Sequence, residues 1–302
     1  THVQWLLSGY LLVGSGCFVL AKHVASAVGA RISLLIGLAI FAVAAFLASS
    51  THLFSVLMVA RAFQGMGAAL AIMASLQYID KHDTIDRFYL FLWTVFAVVG
   101  FAAGAYLSDI LMFAFGWQSF FGFEAVLSVL AFACGVLGLR PCPSERWSGD
   151  ILGPIIWIVG WLFAGLWISN LDNTLWVTWA NMVYLVLALL CFAVFYIYEK
   201  CRHHHKGLDQ LRRRETMLAH LVGCVAYIQV FAWLLIFGVF LQAAYGFDHW
   251  QAGKAFLPFT IVFALAFFPL RRIAGKRGFT VCLLVGVICT VISWLILILI
   301  AH

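Results

Sequence analysis

The residues best able to do chemistry stand where the sequence is least polar. Arg61, in the run "RAFQGMGAALA", lies eight residues past Leu53 in a segment that stays apolar from 53 to 79, about 12 Å along a helix rising 1.5 Å per residue. A charge at that depth is costly, so Arg61 must face protein or a water-filled cavity and have a partner; a structural arginine bonded to backbone carbonyls is the plainer alternative. Gln64 and Gly65 follow at i+3 and i+4, on the same helical face. Gly65 and Ala69 form a ridge of small residues that a neighbouring helix can approach closely. Glu124 is the only acid well inside an apolar segment. It stands six residues past Gln118, about 9 Å along its helix, and therefore close to Arg61 in depth. It is a candidate protonatable group and a candidate partner for Arg61; a neutral or interface-snorkelling glutamate is the plainer alternative.

Other polar residues carry less. Asp109, Asp172 and Asp248 lie near segment ends and read as solvated. His220 reads as a hydrogen-bonded structural histidine. The adjacent His203, His204 and His205 sit in a basic loop, a weak signal for metal. The eight cysteines are scattered without a CxxC pair and read as small hydrophobes, so neither a disulfide nor a metal site is expected. No nucleophile–base pair or ligand cluster at membrane depth supports a membrane-embedded enzyme.

The elements that must position these groups follow from composition. Of 302 residues, 65% are hydrophobic and 10% charged, against about 25% charged in soluble domains. A water-facing surface cannot be built from this chain, and several segments reach the ~20 apolar residues that cross a hydrocarbon core as a helix. Ten segments are predicted: 3–21, 32–48, 53–79, 88–110, 118–139, 151–169, 176–198, 217–243, 252–270 and 280–300. The placement of basic residues supports the count. Sixteen of the eighteen lysines and arginines fall in the loops after the first, third, fifth, seventh and ninth segments. Only Arg61 and Lys254 lie elsewhere, and the loops at 49–52, 109–117, 170–175 and 244–251 have none. The basic side is therefore expected to be cytoplasmic, with both ends of the chain on the outer side. The net charge of +6 reads as this sidedness and not as nucleic-acid binding. The longest loop, "YEKCRHHHKGLDQLRRRET", reads as solvated near anionic head groups.

The motifs carry a resemblance. "RAFQGMGAALA" resembles the fourth helix of the major facilitator superfamily, in its branch of fourteen-helix drug–proton antiporters, whose pattern Arg-x-x-Gln-Gly-x-Gly-Ala-Ala is matched by Arg61, Gln64, Gly65, Gly67, Ala68 and Ala69. "QWLLSGYLL" is similar to the start of the family's second helix, "FGWQSFFGFE" to the entry into its sixth and "QAGKAFLPF" to its tenth. In this register the chain corresponds to family helices two to eleven. Segments 151–169 and 176–198 resemble the pair of extra helices that separate fourteen-helix from twelve-helix members. The sequence also departs from the family. In "KHVASAVGAR", Lys22, Ser26 and Ala27 replace the family's glycine, aspartate and arginine, while Gly29 and Arg31 match; in "RRIAGKRG", Gly275 stands where the related acid would be. In "GFAAGA", Gly100 and Gly104 match the antiporter signature of helix five, but Phe101 replaces its proline. The family's charged latch and its helix-five bend are not expected to carry over.

The resemblance implies an all-α integral membrane protein of major-facilitator-like helical bundles with about ten transmembrane helices. Residues 1–139 would form an incomplete N-terminal bundle, 140–150 a cytoplasmic linker, 151–198 the two connecting helices, 199–216 a basic loop and 217–302 a partial C-terminal bundle. The implied activity is proton-coupled export of small amphipathic compounds across the cell membrane, with Arg61 and Glu124 in proton coupling. Gln64, Gly65, Gly67, Gly100 and Gly104 would act in packing, and Gly29, Arg31 and Pro258 in conformational change. Tyr10, Trp93, Tyr227, Gln229 and Trp233 are candidate substrate contacts, each equally readable as packing or an interface anchor. The expected partners are lipid, substrate and protons; no cofactor or nucleic acid is expected. The chain starts at Thr1 and its first segment runs inward, as expected of a piece lacking family helices one and twelve to fourteen. The alternative is a non-transporting relative with a structural or assembly role.

Overall fold

A chain surrounded by lipid must satisfy its own backbone N–H and C=O groups, which a helix does within one segment. The computed structural model describes residues 2–80, 87–142, 144, 150–170 and 179–202, with scattered positions between 217 and 292, of which 240–248 is the longest run. Seven helices lie among the described residues: α1 (His2–Val28), α2 (Ala30–Ser50), α3 (Phe54–Asp80), α4 (Arg87–Phe115), α5 (Trp117–Gly138), α6 (Leu152–Ser169) and α7 (Trp179–Arg202). There is no strand among these residues. The helices answer to the first seven expected segments; the last three fall mainly outside the described residues, so the described residues do not confirm the expected count of ten. Among the described residues, six spans are long and apolar enough to cross a membrane, in α1, α2, α3, α5, α6 and α7.

Several helices run past their apolar stretches. Helix α1 continues seven residues beyond the expected end at 21, and α2 begins at Ala30. The expected loop at 22–31 is thus a single-residue break at Gly29, whose φ of 96° is a conformation that glycine adopts without the Cβ penalty. Gly116, with φ 83°, does the same between α4 and α5. Hydropathy marks where the bilayer ends, whereas the helix persists until its backbone is broken, so the loops read from polarity at 22–31 and 109–117 are too long.

Residues Thr1–Phe91 and Ala114–Lys206 form one compact unit, and Leu92–Phe113 with Gly207–His302 a second. In the first unit α3 packs on both α1 and α2, α2 on α5, and α6 on both α1 and α7. The interior is made of small residues: Ala25, Ala30, Ala45, Ala48, Ala60 and Ala74 are fully buried. Bulky groups such as Val43, Phe46 and Leu137 are 67–87% exposed. That inversion suits a lipid surround, where close backbone approach and dispersion, not removal of apolar surface from water, favour helix association.

The paired ends of the helices agree with alternating up-and-down passage. At the end carrying the basic residues, Gln77 Nε2 of α3 donates to the Lys22 carbonyl of α1 at 3.0 Å and to Ser26 Oγ at 3.2 Å. Arg31 Nη2 donates to the Val136 carbonyl in the last turn of α5 at 2.9 Å, a favourable place for a cation. The Arg140 amide donates to Tyr78 Oη at 3.0 Å. The ties at Ser26 are thus an amide and a hydroxyl, not the charges of the family pattern.

Helices α6 and α7 are bound into the same unit. A Cβ on Gly165 would lie 2.6 Å from Leu12 of α1, and one on Gly160 would lie 2.9 Å from the Phe192 ring of α7. Trp157 Nε1 donates to the Ser15 carbonyl at 3.1 Å. At the start of α6, Asp150 is 1% exposed; its Oδ1 accepts from the Gly153 amide at 3.2 Å and from the Tyr198 hydroxyl at 2.8 Å. One carboxylate therefore caps α6 and ties it to the far end of α7. Asp150→Ala is expected to cost about 1–2 kcal/mol and to lower the thermal unfolding midpoint in detergent; an unchanged midpoint would show that the cap is idle.

Candidate functional site

The site lies where α1, α3 and α5 meet in the first unit. Two glycines on α3, two residues apart, set its geometry. A Cβ on Gly65 would stand 2.6 Å from the Tyr10 carbonyl and 3.0 Å from the Gly14 amide of α1. A Cβ on Gly67 would stand 2.7 Å from the Gly37 carbonyl and 2.8 Å from the Phe41 amide of α2. Helix α3 is thus pressed against backbone on both flanks, and Ala69 packs in a cluster with Ala21 and Leu70. Its Arg61–Gln64 edge is directed between α1 and α5.

Arg61 is partly buried there and makes four contacts. Its Nε donates to the Leu6 carbonyl of α1 at 3.1 Å, and its Nη1 donates to Gln64 Oε1 at 3.2 Å. The guanidinium carbon lies 5.0 Å from the ring centre of Tyr10 and 5.2 Å from that of Phe121, both within cation–π range. Phe121 is held in turn by edge contacts with Trp117 and Phe120, in a buried cluster with Ala48, Leu57 and Ala60.

Gln64 is fully buried and bridges the charges. Its Nε2 donates to Glu124 Oε2 at 3.1 Å while its Oε1 accepts from Arg61. This is the amide orientation that places carbonyl against cation and NH2 against carboxylate, so the hydrogen-bond network fixes it. Arg61 and Glu124, matched in depth by the sequence, thus belong to one chain of hydrogen bonds through a neutral side chain. Chemically, this pairs a fixed cation with a carboxyl that can gain or lose a proton at similar depth.

The other candidates are distributed differently. Tyr10 belongs to the arginine site, stacked on its guanidinium. Trp93 lies on α4 and is half-buried. Gly100 and Gly104 lie on α4, where a Cβ would meet no described atom within 4 Å. Gly29 is the α1–α2 break, where a Cβ would stand 3.0 Å from the Cys142 carbonyl, and Arg31 caps α5. Pro258 is exposed in helical backbone. Tyr227, Gln229 and Trp233 lie outside the described residues. The pattern of the sequence does not single out Phe121, the Leu6 carbonyl, Gly14 or Gly37. A glycine in "LLIGLAIF" is a signal for close approach, but it does not say to which helix.

Comparison with known proteins adds a family. The model described as Major Facilitator Superfamily matches residues 1–154. The methylenomycin A resistance protein of Bacillus subtilis is 24% identical over 91% of this chain and 60% of its own length; that of Streptomyces coelicolor is 24% identical over 91% and 59%. Multidrug resistance protein Stp of Mycobacterium tuberculosis is 25% identical over 99% of this chain and 57% of its own length. The chain therefore spans about three fifths of the length of these curated relatives.

Proposed function

Since this chain belongs to the major facilitator superfamily, a family of multi-pass membrane proteins, we propose that it is part of a transporter that exports small amphipathic compounds in exchange for protons. The observation that carries the reading is the Arg61–Gln64–Glu124 chain, an ionisable pair at membrane depth joined by two hydrogen bonds. Intramembrane ionisable residues mark proton relays and ion pathways. The direction and the substrate class are drawn from the relatives, named for resistance to methylenomycin A and to multiple drugs. The basic helix ends lie in the cytoplasm, following the excess of lysine and arginine there.

In this scheme Arg61 stays charged, held by the Leu6 carbonyl and two aromatic rings, while Glu124 binds and releases the proton. Alternating access moves the carboxyl between the two sides as helical bundles rock about a midplane cavity. Substrate would meet aromatics and an amide on the cavity helices, with Trp93, Tyr227, Trp233 and Gln229 as the candidates and Tyr10 shared with the arginine.

The test is efflux from vesicles holding the complete gene product, with and without an imposed proton gradient. Glu124→Gln is expected to reduce gradient-driven efflux by about 5–150-fold, the range of a 1–3 kcal/mol coupling, while substrate binding in detergent persists. Equal gradient dependence in the variant would remove Glu124 from the mechanism. Absence of gradient dependence in the unsubstituted protein would favour the non-transporting relative.

A further inference from the structure

We propose that Gln64 is a positioning residue for proton coupling: its amide carries the protonation state of Glu124 to Arg61. The inference deepens the function proposed above and rests on it. Three observations support it. Gln64 is fully buried, where an amide is costly unless its hydrogen bonds are made. Its carbonyl and its NH2 serve one charge each, at 3.2 Å and 3.1 Å. And Arg61 has other support in the Leu6 carbonyl and the rings of Tyr10 and Phe121, so the amide is not required merely to satisfy the arginine.

The chemistry follows from hydrogen bonds that polarise one another. A carboxylate accepting from the Gln64 NH2 pushes electron density toward the amide carbonyl oxygen. That strengthens the bond from Arg61, as charge-assisted bonds in series do. When a proton arrives, an O–H bond forms on one carboxyl oxygen and the neutral group accepts less strongly from Nε2. The amide is then less polarised, and its hold on Arg61 loosens. Loss of the proton reverses both changes. The guanidinium is left free to lean on its rings in one state and on the amide in the other, with no proton passing through the amide itself.

Among the described residues, few other charges face this position. On α3 it is Arg61, and on α1 the phenol of Tyr10 lies within electrostatic reach of both Arg61 and Glu124. The described ionisable side chains elsewhere on α1, Cys17, Lys22 and His23, lie about two turns or more further along. Helix α2, which packs on α3 and α5, has Arg31 as its one charged residue, and that bonds to Val136 at the opposite end of α5. His52, in the turn after α2, is paired with Gln118 at the start of α5. On α5 itself the remaining ionisable group is Cys134, more than two turns away.

The experiment compares pH profiles of gradient-driven efflux, and of the protonated-carboxyl infrared band, for the reconstituted complete protein and Gln64→Met. Methionine keeps the length of the side chain and removes both hydrogen bonds. The expected result is a displacement of both midpoints by about one pH unit, with efflux at the new optimum partly retained. A uniform fall in efflux at every pH, with neither midpoint moved, would mark Gln64 as packing only and overturn the proposal. If Gln64→Met does not accumulate in the membrane, Gln64→Glu decides: it keeps the shape and adds a second carboxyl beside Glu124. The two groups should then titrate in two steps; a single step at the original midpoint overturns the proposal. Glu124→Gln separates this inference from the reading beneath it. If that variant keeps the carboxyl band and the pH profile, the proton-coupling assignment fails and takes the role of Gln64 with it. If it loses them while Gln64→Met changes neither midpoint, only the role of Gln64 fails.

Discussion

Arg61→Ala is expected to reduce proton-driven efflux by about hundredfold, the equivalent of roughly 3 kcal/mol lost when one member of a buried charged network is removed. The arginine is the hub of its site. Its removal takes the cation away from Glu124, leaves Gln64 Oε1 without its donor and opens a gap between Tyr10 and Phe121. Arg61→Lys sharpens the test. A lysine keeps the charge but lacks the planar fork that serves Leu6 and Gln64 together while lying against two rings. Its efflux should fall between that of the alanine variant and the unsubstituted protein. Vesicle efflux with an imposed gradient measures both; equal efflux from Arg61→Ala and the parent protein would show that the site has no part in coupling.

The largest expected effect on stability is at Gly67. In Gly67→Leu the new Cβ would begin 2.7 Å from the Gly37 carbonyl and 2.8 Å from the Phe41 amide. These are backbone atoms, so no side-chain rotation relieves the clash and the α2–α3 crossing must open. Overpacking of this kind costs about 1–3 kcal/mol even where neighbours can adjust; here the upper end or more is expected. Helix α2 also carries the packing on α5, so the loss spreads to the carboxyl's helix. The measurement is the thermal unfolding midpoint of the purified protein in detergent. Gly122→Ala is the internal control. Its Cβ would stand 3.9 Å from Ser49 Cβ, an ordinary van der Waals distance, and replacing a glycine inside a helix by alanine favours the helix by about 0.5–1 kcal/mol. The two substitutions should therefore move the midpoint in opposite directions, and a Gly67→Leu protein as stable as the parent would refute the close crossing.

Part of the site is legible in the amino-acid sequence. Arg61 announces itself because a guanidinium in an apolar run must find a partner, and Gln64 shares its face by helical spacing alone. Glu124 matches Arg61 in depth, since residues counted from a segment end convert directly into ångströms. That the two meet through an amide is not legible there, because depth fixes one coordinate and leaves the rotation of each helix open. The same freedom hides Phe121 and the Leu6 carbonyl, an aromatic and a backbone group with nothing in their type to mark them. It also hides Asp150, whose position beside the start of α6 reads as solvated linker until Tyr198 is brought over it.

By itself the sequence determined the solvent and the helical character, because these follow from how many apolar residues occur in a row. Tertiary structure alone decided which faces meet: Gly65 on α1, Gly67 on α2, and a buried glutamine between an arginine and a glutamate. The physical reason lies in the bilayer. With lipid as apolar as the helix surfaces, hydropathy does not tell inward from outward, and the choice passes to backbone contacts at small residues and to the few polar groups that must find one another.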